Sequence, residues 1–280
     1  MTQPCISNIT FVIFTYNEEK RIERVIKNFL NFGKVLLADN NSTDRTQEIA
    51  KSYGCDIFLR KEDYVFVEDQ RLVNQLYDVI TTDWIYWGFA DEMLEKQTLL
   101  KILEITNKNE HDIISIERKN YTYGTFIGEL FHGYSNKVFK KHAIDFSKNV
   151  IHGMGTPTVL KERIYQMPST LFVHHFGSYT ASSYLNTIQR YTEVEKKSSV
   201  HYNRSMFGII KLFSKRVLKN YIYDGGYKSG YAGLASVILS LCYEIVKDLK
   251  IYEYSNGLDT CIIEEKNDEI RDSILKAFKD

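Results

Sequence analysis

Along the first ninety residues, hydrophobic positions alternate between two periods. Residues 9–15 (ITFVIFT) are a short β-branched and aromatic run that stops at Tyr16-Asn17-Glu18-Glu19, the pattern of a buried strand ending in a turn. Over 18–32 the apolar Ile22, Val25, Ile26, Phe29 and Leu30 return at helical spacing, and Gly33 stands where a helix would stop. The alternation continues. Residues 34–38 predict a second strand, 39–43 a polar loop, 44–53 a helix capped by Gly54, and 56–59 a third strand. A helix over 69–81 and a strand over 83–89 follow, the latter running into Ala90-Asp91-Glu92, and then a helix over 97–107 and a strand over 112–117. This order predicts an α/β, Rossmann-like domain with a parallel sheet and helices on both faces. Ligands of such sheets bind beyond the carboxyl ends of the strands, so the polar clusters after strands one, two and four should share one rim.

Beyond residue 119 the chain becomes aromatic and Gly-rich, with a strand at Val138-Phe139, a loop over 152–155, and a strand before His174-His175. A helix is expected over 182–197. We expect a catalytic-type domain over 1–200 and a helical extension over 201–280. In the extension Lys211, Lys215, Arg216 and Lys219 interleave with Ile209, Ile210, Leu212, Phe213, Val217 and Leu218. Such a segment can lie in a membrane interface and reach a lipid-linked acceptor. The alternative reading is an arm packed on its own domain or on a second copy in a homo-oligomer. The apolar helix over 234–245 falls short of the ~20 residues that span a bilayer, so no transmembrane helix is predicted. The tail from Glu264 is charged and carries no motif.

Charge narrows the partners. Lys+Arg and Asp+Glu are both 36, so no global field favours nucleic acid. Cys5, Cys55, Cys242 and Cys261 show no metal-like spacing, and the first residues lack a signal-peptide layout. The expectation is a cytoplasmic protein, with the inner face of the membrane as the place where the basic segment could hold it. With 20 Tyr and 16 Phe against 3 Pro, the aromatic load suits a sugar-handling cleft or a thick ordinary core.

Asp39 closes the second strand. A carboxylate there can accept hydrogen bonds from a nucleobase or ribose, whereas Ser42, Thr43 and Asp44 can simply start the next helix, with Asp44 mainly a cap. The segments FVIFTYNEEKRIERVIKNF, VLLADNNSTDRTQEIAKSYG and DWIYWGFADE, in this order, resemble glycosyltransferase family 2, whose catalytic domain has the GT-A fold. RKNYTYGTFIG, VHHFGSYTASSYLNTIQRYTEVEKK and GYAGLASVILSLCYEIVKDLKIYE extend the likeness over residues 8–253, to a subgroup that includes lipopolysaccharide-core glucosyltransferases.

The resemblance implies an inverting transferase of cell-envelope polysaccharide synthesis. It would move a hexose by default from a nucleoside-diphosphate sugar, UDP-linked, to a glycan, lipid-linked or other hydroxyl acceptor. Thr15, Asn17, Glu18 and Asp39, with Ala90 and Asp91, would hold the nucleotide. Arg71 would lie near the diphosphate unless it is a solvated helix arginine. The Asp-X-Asp position reads Phe89-Ala90-Asp91, so the first aspartate is missing, and Asp91 would hold a divalent cation, Mg²⁺ or Mn²⁺. Among the histidines 152, 174 and 175, His175 is the second candidate ligand. The acids expected as catalytic base are replaced by Gly133 and Gly153, which leaves Glu129 as the nearest carboxylate and Asp145 in reserve. These departures keep a non-catalytic sugar-nucleotide-binding or scaffold protein open. A nucleotidyltransferase would want a Gly-rich first loop, which Tyr16-Asn17-Glu18-Glu19 is not.

Overall fold

The structure is a computed structural model that describes residues 7–60, 68–128, 130–148, 153–177, 180–197 and 205–276. It opens with β1 (Ile9–Thr15), α1 (Ile22–Phe29), β2 (Lys34–Asp39), α2 (Thr46–Ser52), β3 (Asp56–Leu59), α3 (Gln70–Val79), β4 (Trp84–Phe89), β5 (Glu92–Leu94) and α4 (Lys96–Lys108). There follow β6 (Ile113–Thr122), β7 (Thr125–Phe126), β8 (Gly133–Lys140), β9 (Ile144–Asp145), β10 (Thr156–Pro157), β11 (Ile164–Gln166) and β12 (Val173–Phe176). The main sheet runs β3-β2-β1-β4-β8-β6-β12-β5, with β7 and β11 also paired to β6. Strands β1 to β4 are mutually parallel, β8 is inserted antiparallel between β4 and β6, and β5 closes the edge antiparallel to β12. The α/β class expected from the sequence is therefore the one observed, on a mixed sheet.

Both faces of β1 are buried, which explains its unbroken apolar run. Phe11 and Ile13 join Ile22, Val25, Ile26 and Phe29 of α1 and Ile102 of α4 on one face. Val12 and Phe14 join Leu72, Val73 and Leu76 of α3 on the other. Phe11 stacks on Phe29 at 4.8 Å, so the register of α1 on the sheet is set by a ring pair.

Three local expectations are revised. The first helix starts at Ile22 rather than 18, because the Glu18 and Glu19 N–H groups donate to Thr46 Oγ1 and Asp44 Oδ2 across the rim. The strand expected over 112–117 runs on to Thr122, since its end pairs with β12 and β7. Gly33 is not a left-handed helix stop like Gly54, whose φ is +70°. A Cβ at Gly33 would come within 2.6 Å of the Ile9 carbonyl oxygen and 2.8 Å of Ile9 Cγ2, so close approach of chain to strand demands the glycine.

The chain divides into two compact units, Met1–Ser178 with Asp224–Gly233, and Tyr179–Tyr223 with Leu234–Asp280. The first unit ends before α5 (Ala181–Glu195). The reason is bonding between α5 and α7 (Gly230–Ser255): Tyr243 OH donates to Glu195, and Lys250 Nζ to the Gln189 carbonyl and Glu193. On α6 (Met206–Arg216), Arg216 reaches Glu244 and Ser240 of α7. The tail forms α8 (Thr260–Lys276), which buries no residue and leaves Ile263, Ile270, Ile274 and Leu275 exposed. The short apolar helix expected over 234–245 is part of a longer one. By length and composition alone the Gly226–Ser255 stretch could cross a membrane, and a third of its most apolar window is buried within the protein.

Replacing Gly33 by Ala forces backbone displacement against β1, and overpacking of this kind costs about 1–3 kcal/mol. Urea unfolding of Gly33→Ala should show that loss, and an unchanged midpoint would contradict the close-approach account.

Candidate active site

The turn after β1 and the loop after β2 interlock at the sheet's carboxyl rim. Asp39 is fully buried and its carboxylate accepts from Thr15 Oγ1 (2.8 Å), Ser42 N–H (2.8 Å), Ser42 Oγ (2.6 Å) and Gln47 Nε2 (2.8 Å). Ser42 Oγ in turn accepts the Asn17 N–H at 2.8 Å, and Asn17 Oδ1 accepts the Thr43 N–H. Asn17 and Asn41 both take positive φ, a conformation asparagine tolerates well. Asp44 accepts the Thr46 N–H at the start of α2, the capping role expected of it. Thr15 and Asp39 thus shape the rim from beneath, while the Asn17 backbone lies on it.

Glu18 follows, half-buried and paired with Arg21 at 2.5 Å. Burial, opposed by Arg21 and reinforced by Asp91 and Asp44, pushes its carboxyl up to about 7.

The turn between β4 and β5 carries Ala90, Asp91 and Glu92. Ala90 is buried and its N–H donates to the Phe14 carbonyl. Glu92 points inward: Lys137 of β8 bonds both its oxygens at 2.7 and 2.6 Å and also reaches the Trp87 carbonyl, all out of solvent. Asp91 is the acid left at the rim. Its Oδ2 lies 3.3 Å from His175 Nε2. Burial would raise its carboxyl, but the hydrogen bond and charge of His175, with Arg21 and Lys137, hold it below the usual range.

Asn120 of β6 governs that histidine. Its Nδ2 donates to the carbonyls of Phe131 (3.0 Å) and Leu130 (3.3 Å), so its Oδ1 must be the atom 2.8 Å from His175 Nδ1. Nδ1 then carries a hydrogen, and Nε2 faces Asp91, either protonated and donating to that carboxylate or with its lone pair open to a cation. Two acceptors aimed at one point need a cation between them, either a proton on Nε2 or a metal. Adjacent ligands of an octahedral ion lie about 3 Å apart, which the pair matches. Among the described residues no group of three or more His, Cys, Asp or Glu converges as a metal site, so Asp91 and His175 form only a half-site.

The other candidates separate. His174 faces away from His175, taking Tyr121 OH at 2.9 Å within a ring cluster of Tyr121, Phe126, Phe172 and Phe176. Arg71 lies exposed in the first turn of α3. Asp145 accepts the Ser147 N–H and Oγ, which hold its carboxyl below the usual range. Glu129 and His152 fall outside the described residues. Sequence reasoning missed Asn120 and Lys137, whose partners lie 45 or more residues away in the chain, Glu92 for one and His175 for the other.

A mixed sheet with a parallel β3-β2-β1-β4 half, whose rim carries a strand-end carboxylate and an acid at the Asp-X-Asp position, is a GT-A-like architecture. Residues 10–166 match the model of glycosyl transferase family 2, and the chain belongs to that family. Over 102 residues it is 29% identical to the SPbeta prophage-derived glycosyltransferase SunS of Bacillus subtilis (strain 168), with 35% of this chain and 23% of that protein covered. The chain thus spans under a quarter of the length of that relative. Among solved structures it is similar to S. aureus TarS 1-349 in complex with UDP-GlcNAc, at 15% identity and TM-score 0.46, covering 90% of this chain and 93% of that one. It is also similar to the mannosyltransferase PcManGT from Pyrobaculum calidifontis in complex with GDP-Man and Mn²⁺, at 13% identity and TM-score 0.43, covering 91% and 84%.

The raised Glu18 carboxyl has a measurable sign. Its folded pKa of about 7 lies above the ordinary 4.5, so the folded state binds the extra proton, and stability falls as pH rises from 4.5 to 7. The full penalty, on the order of 3 kcal/mol, is present above that window and absent below it. Glu18→Gln should therefore be more stable than wild type in urea at pH 8 and equal to it near pH 4.5. Equal stability at pH 8 would contradict the assigned burial.

Proposed function

We propose that this chain transfers a sugar from a UDP-linked donor to a hydroxyl acceptor with inversion at the anomeric carbon. A hexose is the default donor sugar. The observation that carries the reading is the facing pair Asp91 and His175, set at the rim beside the interlocked β1 and β2 loops and fixed in tautomer by Asn120. The pair fits a divalent cation, Mg²⁺ or Mn²⁺, by donor chemistry and by spacing. When bound, such an ion would neutralise charge building on the departing diphosphate.

The nucleotide would lie across the rim, with Asn17 and Glu18 at its edge. Asp39 and Thr15 act here by holding the loop in shape, because their polar atoms already bond each other. Arg71 is proposed near the diphosphate. The name of the relative SunS, a glycosyltransferase, supports a sugar transferase, and the motifs after Lys119 favour the lipopolysaccharide-core subgroup and an envelope polysaccharide acceptor.

A lipid-linked acceptor at the cytoplasmic membrane face is supported by α6, where Phe207, Ile210 and Phe213 are exposed alongside Lys211 and Lys215. Arg216 leaves the expected basic set, because Glu244 takes it at 2.7 Å. A homo-oligomer contact is the other use such a face could serve.

Two experiments bear on this reading. Calorimetry should give UDP binding at least about tenfold tighter in Mn²⁺ than in EDTA, and Asp91→Asn should lose that gain, since an amide keeps the shape without the charge. Wild type that binds UDP equally in EDTA would remove the metal. For the membrane, Lys211→Gln with Lys215→Gln should weaken sedimentation with phosphatidylserine vesicles, each lysine near the surface being worth about 1 kcal/mol. Wild type that ignores such vesicles at low salt would remove the membrane contact.

A further inference from the structure

A nucleoside diphosphate brings negative charge to a rim that is already acidic. Asp91 and Asp44 both act on Glu18, and their repulsion adds to burial in raising its carboxyl. A cation between Asp91 and His175 would offset part of this, but the carboxylate that holds the cation offsets part of the cation. The protein must add positive charge of its own.

Arg21 is placed to do so. It stands immediately before α1, where its carbonyl accepts the Arg24 and Val25 N–H groups, so its main chain is fixed. Its Nε lies 2.5 Å from Glu18 Oε2, and its side chain is 36% exposed. Among the described residues Glu18 is the one carboxylate within ion-pair distance of this guanidinium, so its Nη donors remain for a ligand. The nearby cations are engaged elsewhere: Arg24 donates to the Lys20 carbonyl, and Lys27 pairs with Glu23.

We propose that Arg21, aimed by Glu18, binds the diphosphate of the donor beside the Asp91–His175 half-site. This rests on the transferase reading above. Strands β1 and β4 are parallel neighbours with Phe14 opposite Phe89, and the Ala90 N–H donates to the Phe14 carbonyl. The turn that carries Glu18 and Arg21 therefore leaves the sheet next to the turn that carries Asp91. The face agrees as well. Helix α1 packs in the layer that contains Phe11, Ile116 and Val173, and strand alternation puts Asn120 and His175 on that same face. The electrostatics are those of near neighbours: the Arg21 charge helps hold the Asp91 carboxyl down, and the Asp91 charge helps push Glu18 up.

The residue type suits the ligand. A guanidinium is planar, and with Nε turned to Glu18 its Nη groups still form a fork that matches phosphate oxygens. Holding the Arg21 side chain on a half-buried carboxylate removes much of its rotamer freedom before the ligand arrives, so less is lost on binding. Charge that gathers on the departing diphosphate then meets a cation already in place.

Arg21→Gln removes the charge, and Arg21→Lys keeps it without the fork. Calorimetry in Mn²⁺ gives UDP affinity, and ligand-observed NMR gives that of uridine, which carries no phosphate. Arg21→Gln should lose on the order of tenfold or more in UDP affinity while uridine stays within about twofold, with Arg21→Lys in between. UDP affinity unchanged in Arg21→Gln, or uridine falling as far as UDP, makes Arg21 a lock on the Glu18 turn and overturns the proposal. Failure of the transferase reading is distinct: wild-type protein would bind neither UDP nor uridine, and the proposal falls with it.

Discussion

One amide holds the right-hand side of the rim together. Asn120 is buried, and three groups draw on it: the carbonyls of Leu130 and Phe131 on its nitrogen and the His175 ring on its oxygen. An amide has two distinct ends, so satisfying two carbonyls leaves only an acceptor for the histidine. The tautomer of His175, the direction of its free lone pair, and the return of the chain into β8 all follow from that single assignment. The proposed metal half-site therefore depends on that side chain being an asparagine and lying the way it does.

The left-hand side is governed by burial of charge. Asp39 and Glu92 are acids with no exposed surface, and each is satisfied from within. Asp39 gathers hydroxyl and amide donors and thereby fixes the loop on which the Asn17 and Glu18 backbones rest. Glu92 takes Lys137, which anchors β8 beneath the β4–β5 turn and leaves Asp91 as the carboxylate at the surface. Removing one partner of such a buried pair leaves an uncompensated charge, typically a loss of several kcal/mol, so the turn that presents Asp91 is stiff. Function at the rim is built by spending neighbouring acids on structure.

The alternating β and α periods made the parallel half of the sheet legible, because β1, β2 and β4 are buried on both faces and their helices are amphipathic. The rim was legible as a place, and Asp91 with His175 as a pair, because the motif order carried them. What escaped the sequence depends on distance in the chain. Nothing near Asn120 or Lys137 says that one will orient a histidine 55 residues on or that the other will neutralise an acid 45 residues back. Asp39 was read as a ligand contact, and what the sequence did not show is that its carboxylate also accepts hydrogen bonds from Thr15, Ser42 and Gln47. Helix α8 was missed because the charge of the tail outweighed its exposed Ile263, Ile270 and Ile274, which bury against nothing.

The central claim is that Asp91 and His175 present two lone pairs to one cation. Crystals of the protein grown with UDP and Mn²⁺, with data collected near the manganese edge, test it directly. The account predicts an anomalous peak bonded to an Asp91 carboxylate oxygen and to His175 Nε2 at about 2.0–2.3 Å, with diphosphate oxygens completing the shell. A manganese peak on the diphosphate with His175 bonded elsewhere, or UDP bound with no manganese at the rim, would contradict it.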